Sequence, residues 1–169
     1  TDLGSIAGYL TGRTVLVTGA GGSIGSELCR QIHEFEPGRL VMLDRDESAL
    51  HAVQLSIEGQ AMLETEDLVL ADIRDRRRLE QVFSKYRPDV VFHAAALKHL
   101  PLLERYPGEA LQTNVQATVN VLDLADRFGV DRFVNVSSDK AANPISVLGY
   151  SKRLSCLLYT SPSPRDIGE

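Results

Sequence analysis

Apolar residues along this chain follow two rhythms, and the rhythms alternate. Unbroken runs such as Val15-Leu-Val17, Leu40-Val-Met-Leu43 and Phe133-Val-Asn-Val136 suit strands covered on both faces. The segments between them repeat their apolar positions every three or four residues, the spacing of one helical face. The pattern predicts a strand at 14–18, a helix at 23–35, a strand at 39–43, a helix at 46–59, a strand at 68–71 and a helix at 75–86. It continues with a strand at 89–93, helices within 100–128, a strand at 132–137 and a helix starting near Val147. Such alternation implies an α/β protein with a doubly wound parallel sheet, its crossovers right-handed.

The first strand runs directly into Thr18-Gly-Ala-Gly-Gly-Ser-Ile-Gly25. Glycines at 19, 22 and 25 allow a tight bend, a close approach of backbone to a pyrophosphate and close packing of helix on strand. The helix that follows presents unpaired N–H groups and the positive end of its dipole to the phosphates. A glycine triplet alone is weak evidence, but here the second strand ends in Asp44, 19 residues after Gly25. An acid at that position accepts hydrogen bonds from an adenosine ribose, so strand, glycines, helix, strand and acid together indicate a dinucleotide site.

Behind the strand at 132–137 comes Ser-Asp-Lys-Ala-Ala-Asn-Pro-Ile-Ser-Val-Leu-Gly-Tyr-Ser-Lys152, rich in hydroxyl, carboxylate and ammonium groups. Ligands of open α/β sheets bind beyond the carboxyl ends of the strands, which places Ser138, Asp139 and Lys140 at the mouth of the crevice. An isolated Asp-Lys pair is ordinarily a solvated loop; the dinucleotide fingerprint upstream favours the functional reading.

At 169 residues and 43% hydrophobic, the chain has one domain's worth of core. Its net charge of −5 and the acids interleaved among Arg74–Arg78 give no surface for nucleic acid, and Arg76-Arg77-Arg78 reads as a solvated helix start. Cys29 and Cys156 lack metal-ligand spacing and fit a reducing cytoplasm. His93 and His99 flank a strand end without the cysteine or carboxylates a metal site needs, so no metal is assigned. No apolar run approaches the roughly 20 residues of a membrane span, and Thr1–Gly12 is unlike a signal peptide. The tail from Leu154 to Glu169, with Ser161-Pro-Ser-Pro164, does not continue the sheet pattern; it reads as translated adaptor sequence and is treated as non-native.

Thr18-Gly-Ala-Gly-Gly-Ser-Ile-Gly-Ser-Glu27, Leu43-Asp-Arg-Asp-Glu47, Ala71-Asp-Ile-Arg-Asp75, His93-Ala-Ala-Ala-Leu-Lys-His99 and Ser137-Ser-Asp-Lys-Ala-Ala-Asn-Pro144 together resemble one family. It is the polysaccharide-biosynthesis branch of the extended short-chain dehydrogenase/reductases, the UDP-N-acetylglucosamine 4,6-dehydratase group. The resemblance covers about Leu10 to Arg153, and Thr1–Tyr9 resembles the join to a preceding region in the long, membrane-anchored members. It implies a partial Rossmann domain at 10–153, a linker at 1–9 and a chain truncated before the substrate-binding region.

The resemblance also implies roles. Gly19, Gly22, Ser23, Ile24 and Gly25 cradle the pyrophosphate of NAD; Asp44 and Arg45 hold the adenosine ribose; Asp72 and Ile73 touch adenine. Ala94, Ala95 and Ala96 line the cofactor, Lys98 reaches cofactor or sugar, and Asn114 lies near the active site. Lys152 binds the nicotinamide ribose. Leu148 stands where most relatives carry tyrosine, four residues before that lysine, which leaves the base for C4 oxidation among Ser138, Asp139 and Lys140. The implied substrate is a UDP-sugar. Hydride leaves C4 for NAD⁺, Lys140 takes the C5 proton, Asp139 protonates the departing C6 hydroxyl, and hydride returns to C6. An epimerase of the same fold and an inactive dinucleotide-binding module are the alternatives. The implied location is cytoplasmic, on the membrane face if an upstream anchor exists, with no direct membrane contact by this segment and homo-oligomerisation of the parent left open.

Overall fold

The computed structural model describes residues 7–59, 67–95, 107–137 and 146–151. Five strands, β1 (Thr14–Thr18), β2 (Arg39–Asp44), β3 (Leu68–Leu70), β4 (Val90–His93) and β5 (Arg132–Ser137), pair in parallel. Helices α1 (Ser23–His33), α2 (Glu47–Glu58), α3 (Arg76–Tyr86) and α4 (Pro107–Arg127) lie between them in the chain. With a sixth strand, β6 (Ser146–Ser151), the sheet order is β3-β2-β1-β4-β5-β6, so the chain reverses its direction of winding between β1 and β4. Ligand crevices open at such a switch point.

Alternation within the strands builds the two layers. Val15, Val17, Leu40, Met42, Val90, Phe92, Val134 and Val136 point to one face and pack on Leu28, Cys29 and Ile32 of α1 and Leu50 and Val53 of α2. Their neighbours Leu16, Val41, Leu43, Val91 and Phe133 meet Leu79, Val82, Phe83 and Tyr86 of α3 and Val121, Leu124 and Ala125 of α4. Each such side chain, fully buried, contributes about 1.5–3 kcal/mol. Both faces being covered is why these strands read as continuous apolar runs.

The helix boundaries have local causes. Asp46 caps α2 by accepting the Ala49 N–H at 3.1 Å, and Asp75 caps α3 by accepting that of Arg78, also at 3.1 Å. Gly59 ends α2 in the left-handed conformation at φ +77°. Of the three arginines opening α3, Arg77 and Arg78 are exposed, as a solvated helix start requires. Arg76 departs from that reading: it donates to Asn120 Oδ1 at 3.3 Å and pairs with Asp123, joining α3 to α4.

One element differs from expectation. Instead of a helix starting near Val147, residues Ser146–Ser151 form β6, antiparallel to β5. β-Branched Val147 and Gly149 give a helix little intrinsic support, whereas the outer edge of β5 offers a row of backbone partners. The ladder takes all six β6 residues, from Ser146 opposite Ser137 to Ser151 opposite Arg132. At the amino end of the sheet, a 3₁₀ turn at Ala7–Tyr9 leads to Leu10, which is fully buried in the first core layer. There the Arg132 guanidinium lies 4.1 Å from the centre of the Tyr9 ring.

Candidate dinucleotide site

The crevice is built from the three turns that leave β1, β2 and β4. Gly19 follows β1 with φ +71°, a conformation that strains any residue with a Cβ. A Cβ there would also stand 2.6 Å from Ala95 N and Cα, so the β1 and β4 turns are in backbone contact. Gly25 lies inside the first turn of α1, where a Cβ would come 1.9 Å from the Gly19 carbonyl oxygen. The turn is closed by the Gly22 N–H donating to Gly19 O at 3.1 Å.

Gly22 is the N-cap of α1, and it brings no side chain to cap the helix; nor does the first turn carry an acid. The N–H groups opening α1, at Ser23, Ile24 and Gly25, are those that an α-helix leaves without intrahelical partners. Oriented backbone donors, the positive end of the helix dipole and a wall without side chains fit an anionic pyrophosphate.

The Asp44 carboxylate is anchored on both oxygens. Oδ2 accepts from Gly21 N at 2.8 Å and Oδ1 from Asp46 N at 2.9 Å. The acid at the end of β2 thus holds the glycine turn. Arg45 beside it is exposed. Asp72 turns toward Arg74, whose Nη2 donates to Oδ2 at 2.7 Å, and that bond holds the Asp72 carboxyl below the usual carboxylate range. Ile73 is half-buried against the second core layer.

At the end of β4, His93 is 3% exposed. Its Nδ1 lies 2.7 Å from Thr18 Oγ1 and its Nε2 lies 3.1 Å from Thr118 Oγ1 on α4. Burial pushes the imidazole pKa down from 6.5 to about 4, so the ring is neutral near pH 7. Both nitrogens are engaged by hydroxyls, a satisfied core histidine rather than a metal ligand. Ala94 and Ala95 follow, half-buried, with the Ala94 N–H donating to Thr18 O at 3.0 Å.

Gly19, Gly22, Ser23, Ile24, Gly25, Asp44, Ala94 and Ala95 are therefore assembled on the turns that leave the carboxyl ends of β1, β2 and β4. Asp72 and Ile73 follow β3 in the same manner. Ala96, Lys98, Ser138, Asp139, Lys140, Lys152 and the tail 154–169 lie outside the described residues. Asn114 is on α4. Ser137 ends β5 beside β4, and Ser138 follows it in sequence. β6 delivers Ser151 opposite Arg132, at the amino end of β5 and away from the glycine turn.

Three contributors escape a reading by motif. A Cβ on Gly21 would meet Ala49 Cβ at 2.5 Å and Asp44 Oδ2 at 3.0 Å, so this position needs glycine because of α2 and β2. Thr18 and Thr118 matter through a histidine 75 and 25 residues away in the chain. Only the Gly21–Asp44 pair had a signal in the sequence, the extra glycine within the loop.

Comparison with known proteins agrees with this geometry. The model of a family described as "Polysaccharide biosynthesis protein" matches residues 15–166. Probable polysaccharide biosynthesis protein EpsC of Bacillus subtilis is 45% identical over 156 residues, which is 90% of this chain and 26% of EpsC. A UDP-N-acetylglucosamine 4,6-dehydratase (inverting) of Campylobacter jejuni is 31% identical, covering 89% of this chain and 43% of the enzyme. Among solved structures, UDP-glucose-4-epimerase from Stenotrophomonas maltophila, with bound NAD and formylated UDP-arabinopyranose, superposes with a TM-score of 0.63 at 30% identity, covering 76% of this chain and 38% of the epimerase. This chain thus spans between a quarter and a half of the length of these relatives. With the family match running through nearly all of the sheet, the chain belongs to the polysaccharide biosynthesis protein family.

Proposed function

We propose that this chain is the NAD-binding part of a nucleotide-sugar 4,6-dehydratase acting on a UDP-sugar of the UDP-N-acetylglucosamine type. The observation that carries the cofactor assignment is the glycine turn: Gly19 and Gly25 leave no room for a Cβ, and the start of α1 is uncapped behind them. Gly19, Gly22, Ser23, Ile24 and Gly25 would hold the pyrophosphate, Asp44 and Arg45 the ribose, Asp72 and Ile73 the adenine, and Ala94, Ala95, Ala96 and Lys98 the remainder. NAD, when bound, supplies reversible hydride storage. The chain's own groups supply the proton transfers: Lys140 at sugar C5 and Asp139 at the C6 hydroxyl, with Ser138 beside them. Positioned acid–base groups of this kind accelerate such steps by about 10²–10⁴. Lys152 would hold the nicotinamide ribose.

The relative described as a 4,6-dehydratase supports elimination over epimerisation, as does the adjacency of Asp139 and Lys140. The likeness to UDP-glucose-4-epimerase favours the second reading, in which hydride returns to C4 and no water is lost. Incubating the full-length enzyme with UDP-N-acetylglucosamine in D₂O separates them. Dehydration gives a 4-keto-6-deoxy sugar with deuterium at C5, whereas epimerisation gives UDP-N-acetylgalactosamine without deuterium at C5. Absence of both products would overturn both readings.

A further inference from the structure

We infer that His93 is a positioning residue for the dinucleotide site, its ring fixing the carboxyl ends of β1 and β4 against each other and against α4. This rests on the reading of the glycine turn as an NAD site and adds a residue that reading does not use. Thr18 and His93 are the last residues of their strands and face each other in the ladder. The next residues, Gly19 and Ala94-Ala95, are the ones in backbone contact across the crevice. The separation of the two turns is thus set immediately behind the ligand surface by the 2.7 Å bond between Thr18 Oγ1 and His93 Nδ1.

The ring is held on its other sides too. Nε2 reaches Thr118 Oγ1 at 3.1 Å, and the ring packs 6.1 Å from that of Phe133. A neutral imidazole has one donor and one acceptor nitrogen, and a hydroxyl serves as either, so both bonds are satisfied in either tautomer. A leucine at 93 would fill much of the same volume but strand the buried Thr18 hydroxyl and take away the partner of the half-buried Thr118 hydroxyl. The backbone consequence falls on the Ala94 N–H, which donates to Thr18 O at 3.0 Å, and through it on the register of Ala95 under Gly19. Thr118 lies one helical turn beyond Asn114 on α4, so the same ring couples the glycine turn to that helix.

The test compares NAD affinity by calorimetry with amide hydrogen exchange of Gly19–Gly22 and Ala94 in nucleotide-free full-length protein. His93→Leu and Thr18→Val should each weaken NAD about tenfold, the equivalent of one lost hydrogen bond, and should speed exchange at the turn. Side-chain nitrogen or oxygen of an asparagine reaches the place of Nδ1, so His93→Asn should restore affinity to within about threefold by keeping the Thr18 arm. Ile32→Ala, a core truncation at the far end of α1, should destabilise the fold without changing NAD affinity or turn exchange. If His93→Leu does not fold, Thr18→Val and Thr118→Val carry the same comparison. NAD affinity and turn exchange within twofold of wild type in every folded variant would overturn the role of His93 and leave the NAD site standing. Failure of the wild-type protein to bind NAD would overturn both.

Discussion

Replacing Gly25 with alanine sets two physical effects against each other. Gly25 is the third residue of α1, and its φ is not in the left-handed region, so helix propensity alone favours alanine by about 1 kcal/mol. Sterics oppose it. The new Cβ would stand 1.9 Å from Gly19 O and 2.8 Å from Gly19 C. A carbon needs about 3.3 Å from a carbonyl oxygen, so α1 or the turn must retreat by about 1.4 Å. No side-chain rotation relieves this, because both partners are backbone. Overpacking costs about 1–3 kcal/mol, and moving the Gly19 carbonyl forfeits its bond from Gly22 N, about 1 kcal/mol more. After the propensity gain, the net is about 1–3 kcal/mol of destabilisation. Gly59→Ala is the control: at φ +77° with no atom within 4 Å of a new Cβ, it costs about 1–2 kcal/mol of backbone strain alone. Urea unfolding of the full-length variants should show comparable losses, while calorimetry should show NAD binding weakened at least tenfold in Gly25→Ala and unchanged in Gly59→Ala. A Gly25→Ala protein that unfolds at or above the wild-type midpoint and binds NAD normally would refute the packing of helix on turn.

Three further outcomes follow from the same geometry. His93 stays neutral in the fold down to about pH 4 but takes up a proton near 6.5 when unfolded; its stabilising effect is therefore complete above about pH 6.5 and falls as the pH drops toward 4, by up to about 3 kcal/mol. Urea midpoints at pH 7 and 4.5 should converge less in wild type than in His93→Asn, and equal pH slopes in the two proteins would sink the argument. NAD should bind more tightly than NADP because the Asp44 carboxylate repels a 2′-phosphate; titration with both dinucleotides should show that preference narrowed in Asp44→Asn, and tighter NADP binding by wild type would contradict it. In the full-length enzyme, Asp139→Asn and Lys140→Met should suppress water loss more than hydride removal from C4, seen as transient NADH absorbance without C5 deuterium exchange in Lys140→Met. Unchanged product formation in both would return that loop to an ordinary solvated role.

The parallel core was readable because the central strands are buried on both faces, which makes Val15-Leu-Val17 or Leu40-Val-Met-Leu43 a solid apolar run no amphipathic helix imitates. Helix starts were readable where a cap exists, at Asp46 and Asp75. Residues 146–151 misled for a complementary reason. Their apolar spacing fits either period, Gly149 weakens a helix, and the deciding influence is the free edge of β5, which lies outside the segment's own sequence.

The site divides along the same line. What depends on backbone freedom leaves a mark in one dimension, because only glycine tolerates φ +71° at position 19 or the 1.9 Å approach at 25. What depends on side chains meeting across elements leaves none. Asp44 stood out from its place at the end of β2, but its grip on Gly21 N requires knowing that the turn folds back over that strand. His93 was legible as a histidine at a strand end, opening the His93–His99 motif; its meaning comes from Thr18 and Thr118, brought to it by the crossover that places β1 beside β4 and α4 against them. On the proposed reading, the glycines make room for a dinucleotide and the buried polar contacts hold that room at a fixed width. Substitutions of the first kind should therefore act by filling the cradle, and substitutions of the second by loosening it, a difference that exchange at Gly19–Gly22 reads directly even where the affinities fall by the same factor.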